Sequence, residues 1–137
     1  MKKSKKIGYT TGVFDMFHIG HLNILKKAKA LCDYLIVGVS TDALVEEYKN
    51  KKTIIPEEQR FEIVASIKYV DDVVYQESMD KMAAWEKYHF NTVFVGSDWK
   101  GTDKWEKIEQ EFKKVGVEVV YLPHTDGISS SLLREKI

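Results

Sequence analysis

The 137-residue chain has little of several things, and each shortage narrows what it can be. Its single cysteine, Cys32, cannot close an intramolecular disulfide, and its opening MKKSKK lacks the apolar core of a secretory leader, so a cytoplasmic protein is expected. No apolar run approaches the roughly 18–20 residues that a membrane-spanning helix requires, so no membrane partner is expected. There is no charge surplus: 21 basic residues balance 21 acidic ones. A protein that coats nucleic acid needs an excess of Lys and Arg, so no nucleic-acid partner is expected either. Only two prolines and eight glycines interrupt the chain, and the length suits one core without a second domain.

What is present is 44% hydrophobic and 31% charged residues, the mixture of a packed domain with a solvated surface. Apolar runs rich in Val, Ile, Tyr and Phe at residues 7–11, 34–39, 70–75, 92–95 and 117–122 predict five strands. Helical spacing over 21–31, from Pro56 to about residue 67, and over 79–89, 103–115 and 129–137 supplies the intervening helices. Strands alternating with helices imply a single doubly wound, Rossmann-like α/β domain over residues 7–137, its five-stranded sheet mainly parallel with helices on both faces. Residues 1–6 are expected to form a mobile Lys-rich tail; without Lys2, Lys3, Lys5 and Lys6 the remaining chain has 17 basic residues against 21 acidic. Ligands of such a fold sit at the carboxyl ends of the strands. That rule selects residues 10–21, 40–42, 96–99 and 123–131.

The first of these segments, GVFDMFHIGH at residues 12–21, runs from a strand into a helix. Gly12 suits a tight turn beside a ligand, Gly20 suits close approach of backbone to phosphate, and a helix N-terminus attracts an anion. His18 and His21, three apart, can donate to one phosphate from the same side. As a zinc pair they would need more ligands, and only Cys32, His89 and His124 remain; as surface histidines they would need no explanation beyond chance. The segment GISSS at 127–131, followed by Arg134, places hydroxyls before a helix, which is either an ordinary N-cap or a phosphate cradle. Lys49, Lys51 and Lys52 form a local positive element in an otherwise acidic body.

The 12–21 segment resembles the G-x-F-D-x-x-H-x-G-H signature of the cytidylyltransferase family within the HxGH nucleotidyltransferase superfamily. HIGH also occurs in class I aminoacyl-tRNA synthetases, but those chains are several times longer. Residues 123–131, PHTDGISSS, resemble the family's R-T-E-G-I-S-T-T/S element, with His124 where the pattern has Arg; with Arg134, they equally resemble the ISSTxxR element of adenylyltransferases. The Lys49–Lys51 pair with Arg60, and Gly96-Ser97-Asp98-Trp99, resemble the K-x-K-K and G-D-D-W elements of members whose acceptor is glycerol 3-phosphate. The resemblance implies CTP and a small phosphorylated alcohol as substrates, Mg2+ accompanying the triphosphate, no protein metal site, and a homodimer. It implies catalytic roles for His18, His21, Lys49 and Lys51. Thr11, Gly12, Phe14, Gly20, Asp98, His124, Thr125, Gly127, Ile128, Ser129, Ser130 and Arg134 would bind nucleotide; Asp42, Lys49, Arg60 and Trp99 would bind the acceptor. Asp15 is expected to fix the turn. A different class, a nucleotide-binding regulatory module without turnover, shares the fold.

Overall fold

A computed structural model describes residues 5–123. His124, Thr125, Gly127, Ile128, Ser129, Ser130, Arg134, the helix expected over 129–137 and residues 1–4 lie outside the described residues.

Five strands, β1 (Ile7–Gly12), β2 (Tyr34–Ser40), β3 (Asp72–Gln76), β4 (Thr92–Gly96) and β5 (Glu118–Leu122), form one sheet in the order β3-β2-β1-β4-β5. Among the described residues every pairing is parallel, so the sheet expected to be mainly parallel is wholly so there. Alternation along the strands feeds two cores. Leu35, Val37 and Val39 of β2 point to one face and meet Leu25 and Ala28 of α1 (Ile19–Ala30) and Val64 of α3 (Glu57–Ala65). Tyr9 and Ile36 point to the other and meet Trp105 and Phe112 of α5 (Asp103–Lys114), with Met82 and Trp85 of α4 (Lys81–Tyr88) packed alongside. Gly8 is required where α1 meets the sheet: a Cβ there would stand 2.5 Å from the Phe94 ring and 2.9 Å from Cys32 Sγ.

A helix absent from the sequence reading, α2 (Asp42–Lys49), follows β2; Thr41 caps it by accepting the Leu44 N–H at 3.1 Å. At the other end Asn50 takes the left-handed conformation, φ 53°, and closes it. Residue 6 is already tied to the body, its N–H donating to Asp33 Oδ2 at 2.8 Å and its carbonyl accepting the Asp33 N–H at 2.8 Å. No helix among the described residues is long and apolar enough to cross a membrane. Strand order reverses between β1 and β4, and the crevice expected at such a switch point opens over their carboxyl ends.

Candidate active site

That crevice is a cleft of about 520 Å³. Its floor is the end of β1, and α1 enters it N-terminus first. His18 is the N-cap of α1, in extended conformation, and its Nδ1 accepts the Gly20 N–H at 3.0 Å. His21 reaches back, its Nδ1 accepting the His18 N–H at 3.2 Å. The reciprocal arrangement is a capping box built from two imidazoles in place of Ser and Glu. It stacks the rings, with centroids 4.0 Å apart and planes 25° apart.

Because both Nδ1 atoms accept backbone protons, each neutral ring carries its proton on Nε2. Burial lowers the pKa of His18; burial, then the neighbouring His18, bring His21 down to about 4 against a smaller upward pull from Asp15. Both rings are therefore neutral donors at pH 7. His18 Nε2 is buried and has no hydrogen-bond partner among the described residues.

The turn that delivers this helix is strained, and not at its glycines. Positive φ falls on Phe14 (54°) and Met16 (49°). Gly12 is needed for a different reason: a Cβ would meet the Phe14 ring at 3.0 Å. The Gly20 amide, expected to face phosphate, is already held by His18 Nδ1. Phe14, expected to touch nucleotide, is 6% exposed and packs edge-on against His21, centroids 5.5 Å apart, so it seats the imidazole. Asp15 fixes the loop as expected: its carboxylate oxygens accept the Ile54 and Ile55 N–H groups, each at 2.8 Å.

Arg60 overturns an expectation. Its guanidinium is buried and donates to Ile55 O at 2.8 Å, to Val13 O and Ser40 O at 2.7 Å, and to Asp42 Oδ1 at 2.5 Å. With no exposed side-chain surface and no part in the lining of the cleft, it ties the segment after β1 and the end of β2 to α2 and to the loop before α3. Asp42 is likewise occupied, accepting also from Thr53 Oγ1 and the Glu57 amide. Burial alone would raise its carboxyl, but the bonds from Thr53, Arg60 and Glu57 outweigh that and hold it below the usual range.

Lys49 and Lys51, flanking the Asn50 cap of α2, both line the cleft, as do Thr11, Asp98 and Trp99. Asp98 lies exposed at the rim on a short 3-10 turn. Trp99 is 45% exposed, with Lys104 Nζ 5.9 Å above its ring. The sequence reading missed Lys81. It is 7% exposed, lines the cleft, and donates to Thr11 Oγ1 at 2.9 Å and Gln76 Oε1 at 2.6 Å. Burial, with Lys104 as a second cause, lowers its pKa to about 8. The strand-end rule was the available signal, since Gln76 closes β3 and residue 81 opens the next helix.

Four ammonium groups, two neutral imidazole donors and a helix N-terminus thus converge on a cleft whose carboxylates, among the described residues, are Asp15 and Asp98. No group of three His, Cys, Asp or Glu there could hold a metal ion. This is the chemistry of a polyphosphate site. The sequence profile of the cytidylyltransferase-like family matches residues 9–136. The chain belongs to that family.

Relatives of the cytidylyltransferase-like chain agree over nearly its whole length. A glycerol-3-phosphate cytidylyltransferase of Bacillus subtilis is 40% identical over 129 residues, covering 93% of this chain and 94% of its own. An FAD synthase of Thermococcus sibiricus is 34% identical, covering all of this chain and 96% of its own. Among solved structures, a lipopolysaccharide core biosynthesis protein from Thermoplasma volcanium superposes with a TM-score of 0.74 at 27% identity, covering 89% of this chain and 98% of that one. The protein is a nucleotidyltransferase.

Proposed function

We propose that the chain transfers CMP from CTP to the phosphate of glycerol 3-phosphate, forming CDP-glycerol and pyrophosphate. An acceptor phosphate oxygen attacks the α-phosphorus; the bond to the α,β-bridging oxygen breaks, and its electron pair leaves with pyrophosphate. No protein nucleophile takes part, so catalysis rests on positioning and on donors aimed at phosphate oxygens. His18 and His21 donate from Nε2 to the α- and β-phosphates, and Lys49 and Lys51 neutralise the charge gathered as the two substrates meet. Thr125, Ser129 and Ser130 hold the polyphosphate tail, and Asp98 and Trp99 border the nucleotide and acceptor. Mg2+ would accompany the triphosphate and supply charge neutralisation there; among the described residues the carboxylates lining the cleft are Asp15, which accepts the Ile54 and Ile55 amides, and Asp98, so the ion would be carried chiefly by the nucleotide.

The observation that carries this reading is the buried Nε2 of His18, which has no partner among the described residues, in an imidazole pair whose other nitrogens are locked by backbone. An unsatisfied buried donor costs about 1–3 kcal/mol, and a phosphate oxygen removes that cost. The Bacillus relative supports CTP and glycerol 3-phosphate. The FAD synthase relative supports a second reading, transfer of AMP from ATP. Pyrophosphate release from CTP, ATP, UTP and GTP, each with glycerol 3-phosphate or phosphoethanolamine, separates them. CTP with glycerol 3-phosphate is expected to react fastest. Preference for ATP would move the chain to adenylyl transfer, and tight nucleotide binding without release from any pair would make it a regulatory module.

A further inference from the structure

Lys104 carries its charge where two of its surroundings oppose it. It is the second residue of α5, in the turn where a helix is positive and favours anions; Asp103 and Glu106 supply acids there. Neither of those acids lines the cleft, whereas Lys104 does. Among the described residues no carboxylate comes within 4.0 Å of its ammonium. The buried Lys81 is close enough that Lys104 contributes to lowering its pKa. The helix dipole and a second cation thus both act against the charge at 104, and an anion entering the cleft reverses that balance.

The position of the side chain is fixed from below. Trp105, the next residue, is 4% exposed; it belongs to the core on the α5 face of the sheet and also lines the cleft, so it holds the start of the helix against the cleft wall. Thr102, the N-cap of α5, accepts the Trp105 N–H at 3.3 Å and donates from Oγ1 to the Trp99 carbonyl at 2.8 Å. The cap that starts the helix therefore also anchors Trp99, and the Lys104 ammonium stands 5.9 Å from the centre of that indole ring. Residue 104 lies outside every segment that the sequence motifs select.

Its side of the fold says which phosphate it meets. The imidazoles open α1, which packs on one face of the sheet, and α5 packs on the other. Attack on the α-phosphorus runs in line with the departing oxygen, so the incoming phosphate lies away from the β-phosphate. With the β-phosphate at the imidazoles, that side is the one towards α5. We propose that Lys104 is an acceptor-binding residue, a cation that reaches from its seat on Trp99 to the phosphate of the acceptor. This rests on the nucleotidyl-transfer reading and deepens it by adding a cation on the α5 side to the Lys49–Lys51 pair beside α2.

The test is steady-state pyrophosphate release with CTP and glycerol 3-phosphate varied in turn, beside Tm, for the wild type, Lys104→Gln, Lys104→Glu and Lys104→Arg. Lys104→Gln is expected to raise KM for glycerol 3-phosphate about tenfold, the loss of one charge-assisted bond, and to leave KM for CTP within about twofold of wild type. Lys104→Glu should raise it by about thirtyfold or more while its Tm equals or exceeds that of wild type, because an acid suits the first turn of a helix. Lys104→Arg keeps the charge and should stay within about threefold. A KM for glycerol 3-phosphate within about twofold of wild type in Lys104→Gln and Lys104→Glu alike, or KM values for both substrates rising together as Tm falls, would overturn the assignment. In either case pyrophosphate release by the wild type leaves the transfer reading standing, whereas no release by the wild type would overturn both.

Discussion

Arg60→Met removes a guanidinium while keeping an apolar stem of similar reach, and it separates a residue that builds the site from one that binds substrate. In the native protein three carbonyl oxygens, of Val13, Ser40 and Ile55, accept from it, the Ser40 bond fully buried. Each lost charged-donor bond costs about 1.5–3 kcal/mol, so the three together cost at least about 4 kcal/mol. The Asp42 carboxylate is 40% exposed, so solvent screens its lost ion pair and that contribution is left out. For a chain of this size, about 4 kcal/mol lowers Tm by roughly 12 °C. The assay is thermal denaturation by circular dichroism, beside KM for CTP and for glycerol 3-phosphate. The structural account expects the large Tm loss, with both KM values rising together as the segments after β1 and β2 loosen. A Tm within 3 °C of wild type, coupled to a tenfold rise in KM for glycerol 3-phosphate alone, would refute it and restore Arg60 as an acceptor ligand.

Two further outcomes follow from the same contacts. His21 titrates near 4 when folded and near 6.5 when unfolded, so the unfolded chain takes up its proton first as pH falls. Its stabilising share is full above about pH 6.5 and declines toward pH 4, by about 2 kcal/mol between pH 7.5 and 5; urea midpoints should show this in wild type and not in His21→Gln, and parallel pH profiles would contradict it. Gly8→Ala places a methyl 2.5 Å from the Phe94 ring, and such overpacking is expected to cost about 1–3 kcal/mol in urea denaturation. An unchanged midpoint would mean that β1 and α1 adjust more easily than their packing suggests.

The strands were legible because each is a short β-branched or aromatic run, and the helices because Pro56 and the spacing around Leu25 and Ala28 carry ordinary signals. Helix α2 was not, since only Leu44 and Val45 in its eight residues are buried and the charged remainder reads as loop. The imidazole pair and the Lys49–Lys51 pair were found from residue type and strand-end position. Arg60 was misplaced because its partners lie up to 47 residues away and no local pattern announces them. Lys81 looked like any solvated lysine in a first helical turn; its burial comes from the chain folding back from β3 over the strand ends. The tight turn was assigned to Gly12 because glycine turns most freely, whereas the positive φ falls on Phe14 and Met16, with Asp15 between them bonding the 54–55 loop.

The claim on which the rest depends is that the stacked imidazoles donate to the phosphates of the reacting nucleotide. His18→Asn tests it most directly, because Asn still caps α1 by accepting the Gly20 amide while the Nε2 donor is lost. Pyrophosphate release from CTP and glycerol 3-phosphate should fall by about 10²–10³ in kcat in a variant whose fold and Tm match wild type, the loss expected for one preorganised donor. A rate within threefold of wild type would show that His18 only caps the helix and that the phosphate site lies elsewhere.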